Sequence, residues 1–249
     1  ITLEAYPYSV GSSYPVAYFP GYLNEGGTEE MLKTLSDKKK RIELISRMGE
    51  DNYSTPAGNV WSFIGLEKYK HFEGQQFEDV AEEWGLSVEE MMCRMMVETN
   101  FACGMRGAPP ANIAKWRQVE ADVMELLSRP DYMIGSDSIS AGGVPHPRGH
   151  GCFARFVGRL RRRHNYPIEQ IIQSVTQNPS ERFKLTDRGV LAEGKFADLV
   201  IFDSETINDR ATFDDPIAYA EGVPHVIVNG KLVVENEAVT GVMAGHAIP

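Results

Sequence analysis

Asp137 closes a short segment whose residue types suit a catalytic strand end. The string from Met133 to Asp137, MIGSD, is apolar, then small, then acidic, and the loop that follows is rich in glycine and proline. α/β barrels carry their catalytic groups at the C-terminal ends of strands. A carboxylate in that place could bind a metal ion and take a proton from the water that the ion activates. A turn or helix-capping aspartate is the alternative interpretation.

Arg148 and two hydroxyl groups have the chemistry to bind a carboxylate. Arg148 lies in the string PHPR, 11 residues after Asp137, and a guanidinium flanked by proline and glycine suits a carboxylate with two hydrogen bonds. Tyr6 follows an N-terminal strand and Ser12 comes six residues later in a glycine-containing loop, so both offer donors to an anion. A surface arginine and ordinary strand-end packing are the alternatives. His146, between two prolines, is expected to be structural or solvent-facing.

The composition excludes several classes of protein. The 249 residues include 25 Lys and Arg against 35 Asp and Glu, a net charge of −10, so we expect no nucleic acid partner. No apolar run reaches the roughly 20 residues of a membrane span, so we expect no membrane partner. Three cysteines without close spacing favour free thiols and a cytoplasmic protein. The N-terminal residues lack a signal-peptide pattern, and the sequence contains no HxH, HExxH, P-loop or GxGxxG.

Strands, helices and long loops alternate over the first 180 residues, and a β-rich segment follows. Residue alternation and helical spacing predict the elements of the first part. Strands are predicted at 1–5, 60–64 and 132–135, helices at 28–48, 77–84, 87–98, 112–128, 153–163 and 167–176, and loops at 6–27, 51–58, 100–110 and 138–151. Later, Asn229-Gly230 predicts a hairpin turn. The methionines at 91, 92, 95 and 96 are predicted to lie in a core, and the arginines at 159 and 161–163 on a solvated helix face.

Seven strings follow one another in the order in which one family has them. They are YPYxxGSS at 6–13, MIGSD at 133–137, PHPR at 145–148, GxFxRxxGR at 151–159, PxxRF at 179–183, RGxLxxGxxADLVIFD at 188–203 and VNG at 228–230. On these strings the chain resembles the C-terminal half of the D-aminoacylases, the N-acyl-D-amino-acid deacylases of the metal-dependent amidohydrolase superfamily. The resemblance spans almost the whole chain and is loose over residues 14–130.

The resemblance implies both a fold and a reaction. The fold is α/β: the C-terminal part of a TIM-like (β/α)8 amidohydrolase barrel at 1–185, followed by a small β-sandwich domain at 186–249. The reaction is hydrolysis of the amide bond of an N-acyl-D-amino acid. Asp137 matches the residue that touches a zinc ion and moves the proton from the attacking water to the leaving amine. Tyr6, Ser12 and Arg148 match residues that bind the substrate carboxylate.

The other zinc ligands of the family have no counterpart in the sequence. Its HxH, its bridging ligand and its histidines on the fifth and sixth strands would all precede residue 1. The resemblance therefore implies that an N-terminal half, separate or missing, supplies most zinc ligands and that this chain alone is inactive. The strand at 1–5 then has an exposed edge that could pair with a partner chain or a second copy. Residues 14–130 are expected to form a lid or an interface.

Two alternatives to this function stay open. One is another amidohydrolase reaction, such as that of a cyclic amidase or a dihydroorotase-like enzyme. The other is a non-catalytic binding or scaffold module, because one aspartate alone cannot hold a catalytic zinc, which usually has three protein ligands.

Overall fold

The computed structural model describes residues 2–48 and 55–248, which form an α/β chain. It has two compact units. Unit 1 comprises Ile1–Ser9, Pro110–Asp137 and Pro147–Pro249, and unit 2 comprises Val10–Pro109 and Ser138–His146. The boundary at residues 185 and 186 falls inside unit 1 and stays a prediction. In the described part of the chain, no helix is both long and apolar enough to cross a membrane.

The regular elements alternate along both units. The strands are β1 (Leu3–Ala5), β2 (Ser12–Ser13), β3 (Asn59–Ile64), β4 (Cys103–Gly107), β5 (Tyr132–Ile134), β6 (Leu199–Ile201), β7 (His225–Val228), β8 (Lys231–Glu235) and β9 (Ala238–Val239). The α-helices are α1 (Gly27–Ser36), α2 (Lys38–Ser46), α3 (Phe77–Trp84), α4 (Val88–Glu98), α5 (Ile113–Leu127), α6 (Arg148–Arg155), α7 (Arg161–Arg163), α8 (Ile168–Val175) and α9 (Gln177–Arg182). Short 3-10 helices lie at Pro15–Tyr18, Gly21–Asn24 and Glu67–Phe72, and a π-helical segment, Phe156–Leu160, joins α6 to α7.

Unit 1 contains a pair of parallel strands with helices against it. β1 pairs with β5, so that Leu3 lies opposite Tyr132 and Ala5 opposite Ile134. Helix α5 begins after Asn112, whose side-chain oxygen accepts a hydrogen bond from the backbone N–H of Ala114 at 2.8 Å. The buried core of this unit lies between the strand pair and the helices. It includes Tyr8, Met124, Leu127, Ile134, Phe156, Leu160 and Ile171.

The C-terminal part of unit 1 is an antiparallel sheet in the order β6-β7-β8-β9. The hairpin between β7 and β8 turns at Asn229 and Gly230, as the sequence predicts, and both residues have positive φ, +48° and +78°. A two-residue turn of this kind needs positive φ at both positions, which asparagine and glycine tolerate. The described residues form one sheet here, so a two-sheet sandwich stays a prediction.

Unit 2 has a sheet and a core of its own. Its antiparallel strands run in the order β2-β4-β3. Helix α4 begins after Ser87, whose hydroxyl accepts a hydrogen bond from the Glu90 N–H at 3.2 Å, as its capping-box spacing predicts. The prediction that its methionines form core is confirmed, since all four methionines of this helix are 0% exposed. They are Met91, Met92, Met95 and Met96.

Three predictions that concern unit 2 are wrong. The loop predicted at 100–110 contains β4, the middle strand of the sheet. The single helix predicted at 28–48 divides at Asp37, because its carboxylate accepts a hydrogen bond from the Lys40 N–H at 2.9 Å and starts α2. The predicted loop at 6–27 contains β2 and two 3-10 helices. Of the predicted turn at 51–58, residues 51–54 lie outside the described residues.

One further prediction is wrong in unit 1. The helix expected from residue 153 begins at Arg148, so Arg148 lies on the first turn of α6 rather than on a loop. Helix α9 contains Pro179 in its first turn. Proline is tolerated in the first turn of a helix because its missing N–H has no intrahelical partner there.

Candidate active site

The parallel pairing of β1 and β5 brings the residues that follow both strands to the same edge. Tyr6 follows the last residue of β1, and Asp137 comes three residues after the end of β5. The Gly135 N–H donates to the Ala5 carbonyl at 3.2 Å, which continues the pairing beyond β5. Asp137 has a φ of +45°, a left-handed conformation that aspartate adopts more readily than most residues. The chain therefore turns sharply at the acidic residue.

Arg148 joins Tyr6 and Asp137 in one cluster. Its Nη2 lies 2.8 Å from the Oδ2 of Asp137, and its Cζ lies 4.3 Å from the centre of the Tyr6 ring. The Arg148 side chain is 0% exposed, whereas that of Asp137 is 62% exposed. A buried guanidinium needs a nearby counter-charge, and an aromatic face stabilises it further. The strand ends and the start of α6 therefore hold a fixed cation with an acid that solvent reaches.

Ser12 lies in unit 2, whereas the cluster lies in unit 1. It belongs to β2, and its hydroxyl donates to the Met105 carbonyl at 2.8 Å. The structure thus brings together Tyr6, Asp137 and Arg148, which all lie in unit 1. The role of Ser12 in binding a carboxylate stays a prediction.

The loop that joins Asp137 to Arg148 belongs mainly to unit 2. Residues 138–146 lie in that unit, where the Gly143 N–H donates to the Glu73 carboxylate at 2.9 Å. His146 is 2% exposed, and its Nε2 lies 3.0 Å from the Val10 carbonyl oxygen. A carbonyl only accepts hydrogen bonds, so this nitrogen carries the proton and donates. The expectation that His146 is structural is therefore confirmed.

The residues present do not fit a catalytic zinc ion by themselves. Over residues 2–48 and 55–248, no three or more His, Cys, Asp or Glu side chains converge as a metal site would require. A catalytic zinc usually takes three protein ligands. Asp137, exposed at a strand end, offers one carboxylate. Any further ligands would have to come from residues beyond this described set.

A cavity of about 810 Å³ in unit 1 shares Arg148 with the cluster. Its lining includes Arg148 and Ser136 but neither Asp137 nor Tyr6, and most of its wall is apolar. Helices α6 and α8 and strand β6 contribute much of this wall. The volume falls within the range of small-molecule sites. Because the acid and the tyrosine lie outside it, we do not assign this cavity to the cluster.

A buried charge cluster behind the site escaped the sequence analysis. Arg155 is 1% exposed, and its guanidinium lies 2.6 Å from Glu120 and 3.4 Å from Asp209. Arg159 binds Asp209 at 2.9 Å, and Arg163 binds Glu120 at 2.5 Å. The predicted solvated arginine face is therefore wrong in part. A glutamate in the middle of an amphipathic helix was the signal that could have indicated buried partners.

The pKa values of the two acids in this cluster are shifted in opposite directions. Burial raises the pKa of Asp209 to about 6, although Arg159 opposes the shift. Burial also raises the pKa of Glu120, but hydrogen bonds from Arg117 and Trp116 outweigh it and hold that pKa below its ordinary value. Glu120 therefore stays ionised at neutral pH, whereas the charge of Asp209 depends on pH.

Comparison with known proteins decides the family. Residues 84–234, more than half of the chain, match the amidohydrolase family Amidohydro_3. The chain belongs to the amidohydrolase family. The D-aminoacylase of Alcaligenes xylosoxydans xylosoxydans is 34% identical over 181 residues, which are 72% of this chain and 35% of that protein. The N-acyl-D-glutamate deacylase of the same organism is 34% identical over 64% of this chain and 30% of its own length.

Solved structures agree with this assignment. A crystal structure of D-aminoacylase matches 98% of this chain with a TM-score of 0.68 and 28% identity. The N-acyl-D-glutamate deacylase from Bordetella bronchiseptica, complexed with zinc and a phosphonate inhibitor, matches 93% with a TM-score of 0.66 and 25% identity. These matches confirm that this amidohydrolase is D-aminoacylase-like. The chain spans about a third of the length of the curated relatives, and 42% and 39% of the two solved chains.

Proposed function

We propose that this chain takes part in the metal-dependent hydrolysis of the amide bond of N-acyl-D-amino acids. The observation that carries the proposal is the cluster of Tyr6, Asp137 and Arg148 at the ends of two parallel strands. The relatives named D-aminoacylase and N-acyl-D-glutamate deacylase support the substrate class. The zinc in the solved N-acyl-D-glutamate deacylase supports a metal cofactor, and we propose zinc for this chain.

In this proposal Arg148 and Tyr6 bind the α-carboxylate of the substrate, and Ser12 joins them when its hydroxyl turns from the Met105 carbonyl. A guanidinium has five N–H donors in one plane, so it can bind Asp137 and a substrate carboxylate together. The Tyr6 ring, 4.3 Å from the Arg148 Cζ, holds that plane in place. The Coulombic attraction between a guanidinium and a carboxylate is stronger in a site without water than at the surface. The substrate is thereby selected for a free carboxylate.

Asp137 is the proposed proton carrier, since its carboxylate is close to Arg148 and reachable from solvent. It takes the proton of the attacking water and delivers it to the leaving amine. Most metal ligands come from a complementary N-terminal half. We propose that residues 1–185 belong to a TIM-like barrel and residues 186–249 to a β-sandwich, in a cytoplasmic protein that can oligomerise. The free, buried cysteines Cys93, Cys103 and Cys152 support that location.

The test is a substrate profile of the chain assembled with the polypeptide that completes the barrel. We expect release of D-amino acids from N-acetyl-D-amino acids, with slower turnover of the L-enantiomers and of hydantoins. Asp137→Asn should lower kcat by at least about a hundredfold, because the proton carrier is lost. Asp131→Asn is the matched control, since Asp131 pairs with Arg129 on the surface. Turnover of hydantoins alone, or full activity of Asp137→Asn, would contradict the proposal.

A further inference from the structure

Two arginines of one helix hold the segment Tyr6-Pro7-Tyr8 at two points. Arg148 and Arg155 are the first and last residues of α6, two helical turns apart, so their side chains leave the same side of the helix. The Arg148 Cζ lies 4.3 Å from the centre of the Tyr6 ring, and the Arg155 Cζ lies 4.8 Å from the centre of the Tyr8 ring. Between them, Arg155 Nε donates to the Pro7 carbonyl at 2.8 Å.

Arg155 is itself held from two other directions. Its Nη2 donates to the Glu120 carboxylate on α5 at 2.6 Å, and its Nη1 donates to Asp209 at 3.4 Å. Each of its three nitrogens thus binds a different part of unit 1. A lysine carries one nitrogen on a flexible stem and cannot bridge three such partners. The Arg155 side chain therefore links α5 to the Pro7 carbonyl through hydrogen bonds.

The Tyr8 hydroxyl also lies close to the backbone of α6. At Gly151, a Cβ atom would lie 2.6 Å from the Tyr8 hydroxyl oxygen and 3.1 Å from the Asp209 Cβ. The first distance is shorter than real Cβ contacts and the second is tighter than most of them, so a methyl group here would require Tyr8 to shift. Tyr8 is therefore held by close packing, and Pro7 is held by the Arg155 hydrogen bond.

We propose that Arg155 is a positioning residue for the carboxylate-binding site. By holding the Pro7 carbonyl it sets the place of the Tyr6 ring, and the ring in turn sets the plane of the Arg148 guanidinium. Arg155 does not touch the substrate in this scheme. The nature of the bound carboxylate rests on the proposed function, whereas the control of Tyr6 by Arg155 does not.

The test labels the full chain with 3-fluorotyrosine and follows the Tyr6 signal by fluorine NMR, with Tyr6→Phe to assign it. Arg155→Lys should shift the Tyr6 signal. The matched control is Arg163→Lys, because Arg163 binds the same Glu120 from a side chain that is 34% exposed and should leave the signal in place. In the assembled enzyme, Arg155→Lys should raise KM for an N-acetyl-D-amino acid about tenfold with kcat within about threefold, since small misplacements of binding groups have effects of this size.

The outcomes separate this proposal from the proposed function. An unchanged Tyr6 signal in Arg155→Lys, or equal shifts in both variants, overturns the positioning role. A shift confined to Arg155→Lys supports it even if the assembled protein hydrolyses no N-acyl-D-amino acid, a result that contradicts only the proposed function. If Arg155→Lys does not fold, Gly151→Ala displaces Tyr8, whose ring Arg155 contacts, without altering a charge. It must shift the Tyr6 signal, and an unchanged signal there overturns the proposal.

Discussion

Arg148 places a positive charge on a fully buried side chain at the first turn of α6. The N-terminal end of a helix carries a partial positive charge, so a cation there is disfavoured and an anion is favoured. Asp137 offsets this with a carboxylate at 2.8 Å, and the Tyr6 ring covers one face of the guanidinium. The local charge balance thus favours anions, which agrees with a site that binds a substrate carboxylate.

The Asp209 carboxyl should make the free energy of unfolding depend on pH, and Asp209→Asn should remove that dependence. Burial raises its pKa from 3.8 to about 6, so between about pH 4 and pH 6 the unfolded chain has lost a proton that the folded chain keeps. The stability from this group is present below pH 4 and is lost as the pH rises through 6. The difference in unfolding free energy between Asp209→Asn and the wild type should therefore rise by about 3 kcal/mol from pH 4 to pH 7. This value follows from ~1.4 kcal/mol per unit of pKa shift. Urea unfolding at a series of pH values measures this difference.

Asp203→Asn is the control with the opposite sign. The Glu205 N–H lowers the pKa of Asp203, so its stability is present above the unfolded pKa and is lost as the pH falls. As the pH rises from below the folded pKa of Asp203 to neutral, Asp203→Asn should therefore lose stability relative to the wild type, whereas Asp209→Asn should gain stability relative to the wild type as the pH rises from 4 to 7. A pH-independent difference between Asp209→Asn and the wild type would show that the Asp209 carboxyl does not titrate in this range.

At the scale of elements, the start of α6 could not be predicted from its own sequence. The string from Arg148 to Cys152 contains two glycines and follows two prolines, and such residues favour loops. Tertiary packing favours the helix instead, because Gly151 leaves space for the Tyr8 hydroxyl beside the helix backbone. The residue types of the site were predictable, but the element that carries its arginine was not.

Strand β4 escaped prediction for a similar reason. Its sequence, CGMRG, contains two glycines, which weaken a strand in isolation. A Cβ atom at Gly104 would lie 2.7 Å from the ring of Phe63 on the neighbouring strand. The glycine therefore makes space for an aromatic ring in a three-stranded sheet, and single-sequence patterns carry no record of that partner.

Gly158 in the π-helical segment should tolerate no side chain. Its Cβ atom would overlap the carbonyl oxygen of Ile207 and lie 2.9 Å from the carbonyl carbon. Backbone atoms cannot move aside as a flexible side chain can, so Gly158→Ala should cost about 3 kcal/mol or more of unfolding free energy, the upper end for overpacking. Gly245→Ala, at a glycine with nothing within 4 Å, should change it by less than about 0.5 kcal/mol. Denaturant unfolding compares the two, and equal effects would contradict the close approach.

At the scale of the whole molecule, the chain changes unit at four points. Three of them, at residues 9 and 10, 137 and 138, and 146 and 147, lie close in sequence to Tyr6, Asp137 and Arg148. The family resemblance is loose over residues 14–130, and unit 2 contains most of this stretch with a core of its own. The role of residues 14–130 as a lid or an interface stays a prediction, because the core of unit 2 does not show what its outer surface contacts.

The central claim is that this chain supplies the carboxylate-binding part of an N-acyl-D-amino-acid deacylase. The most direct measurement compares N-acetyl-D-amino acids with their carboxamides, using the assembled enzyme, Arg148→Lys and the control Arg129→Lys, whose pair with Asp131 is on the surface. Loss of a charged hydrogen bond of about 2 kcal/mol predicts an increase in KM of about thirtyfold for the carboxylate substrate in Arg148→Lys alone. The carboxamide should be a poor substrate for all three forms. Equal KM values for the carboxylate in Arg148→Lys and the wild type would contradict the claim.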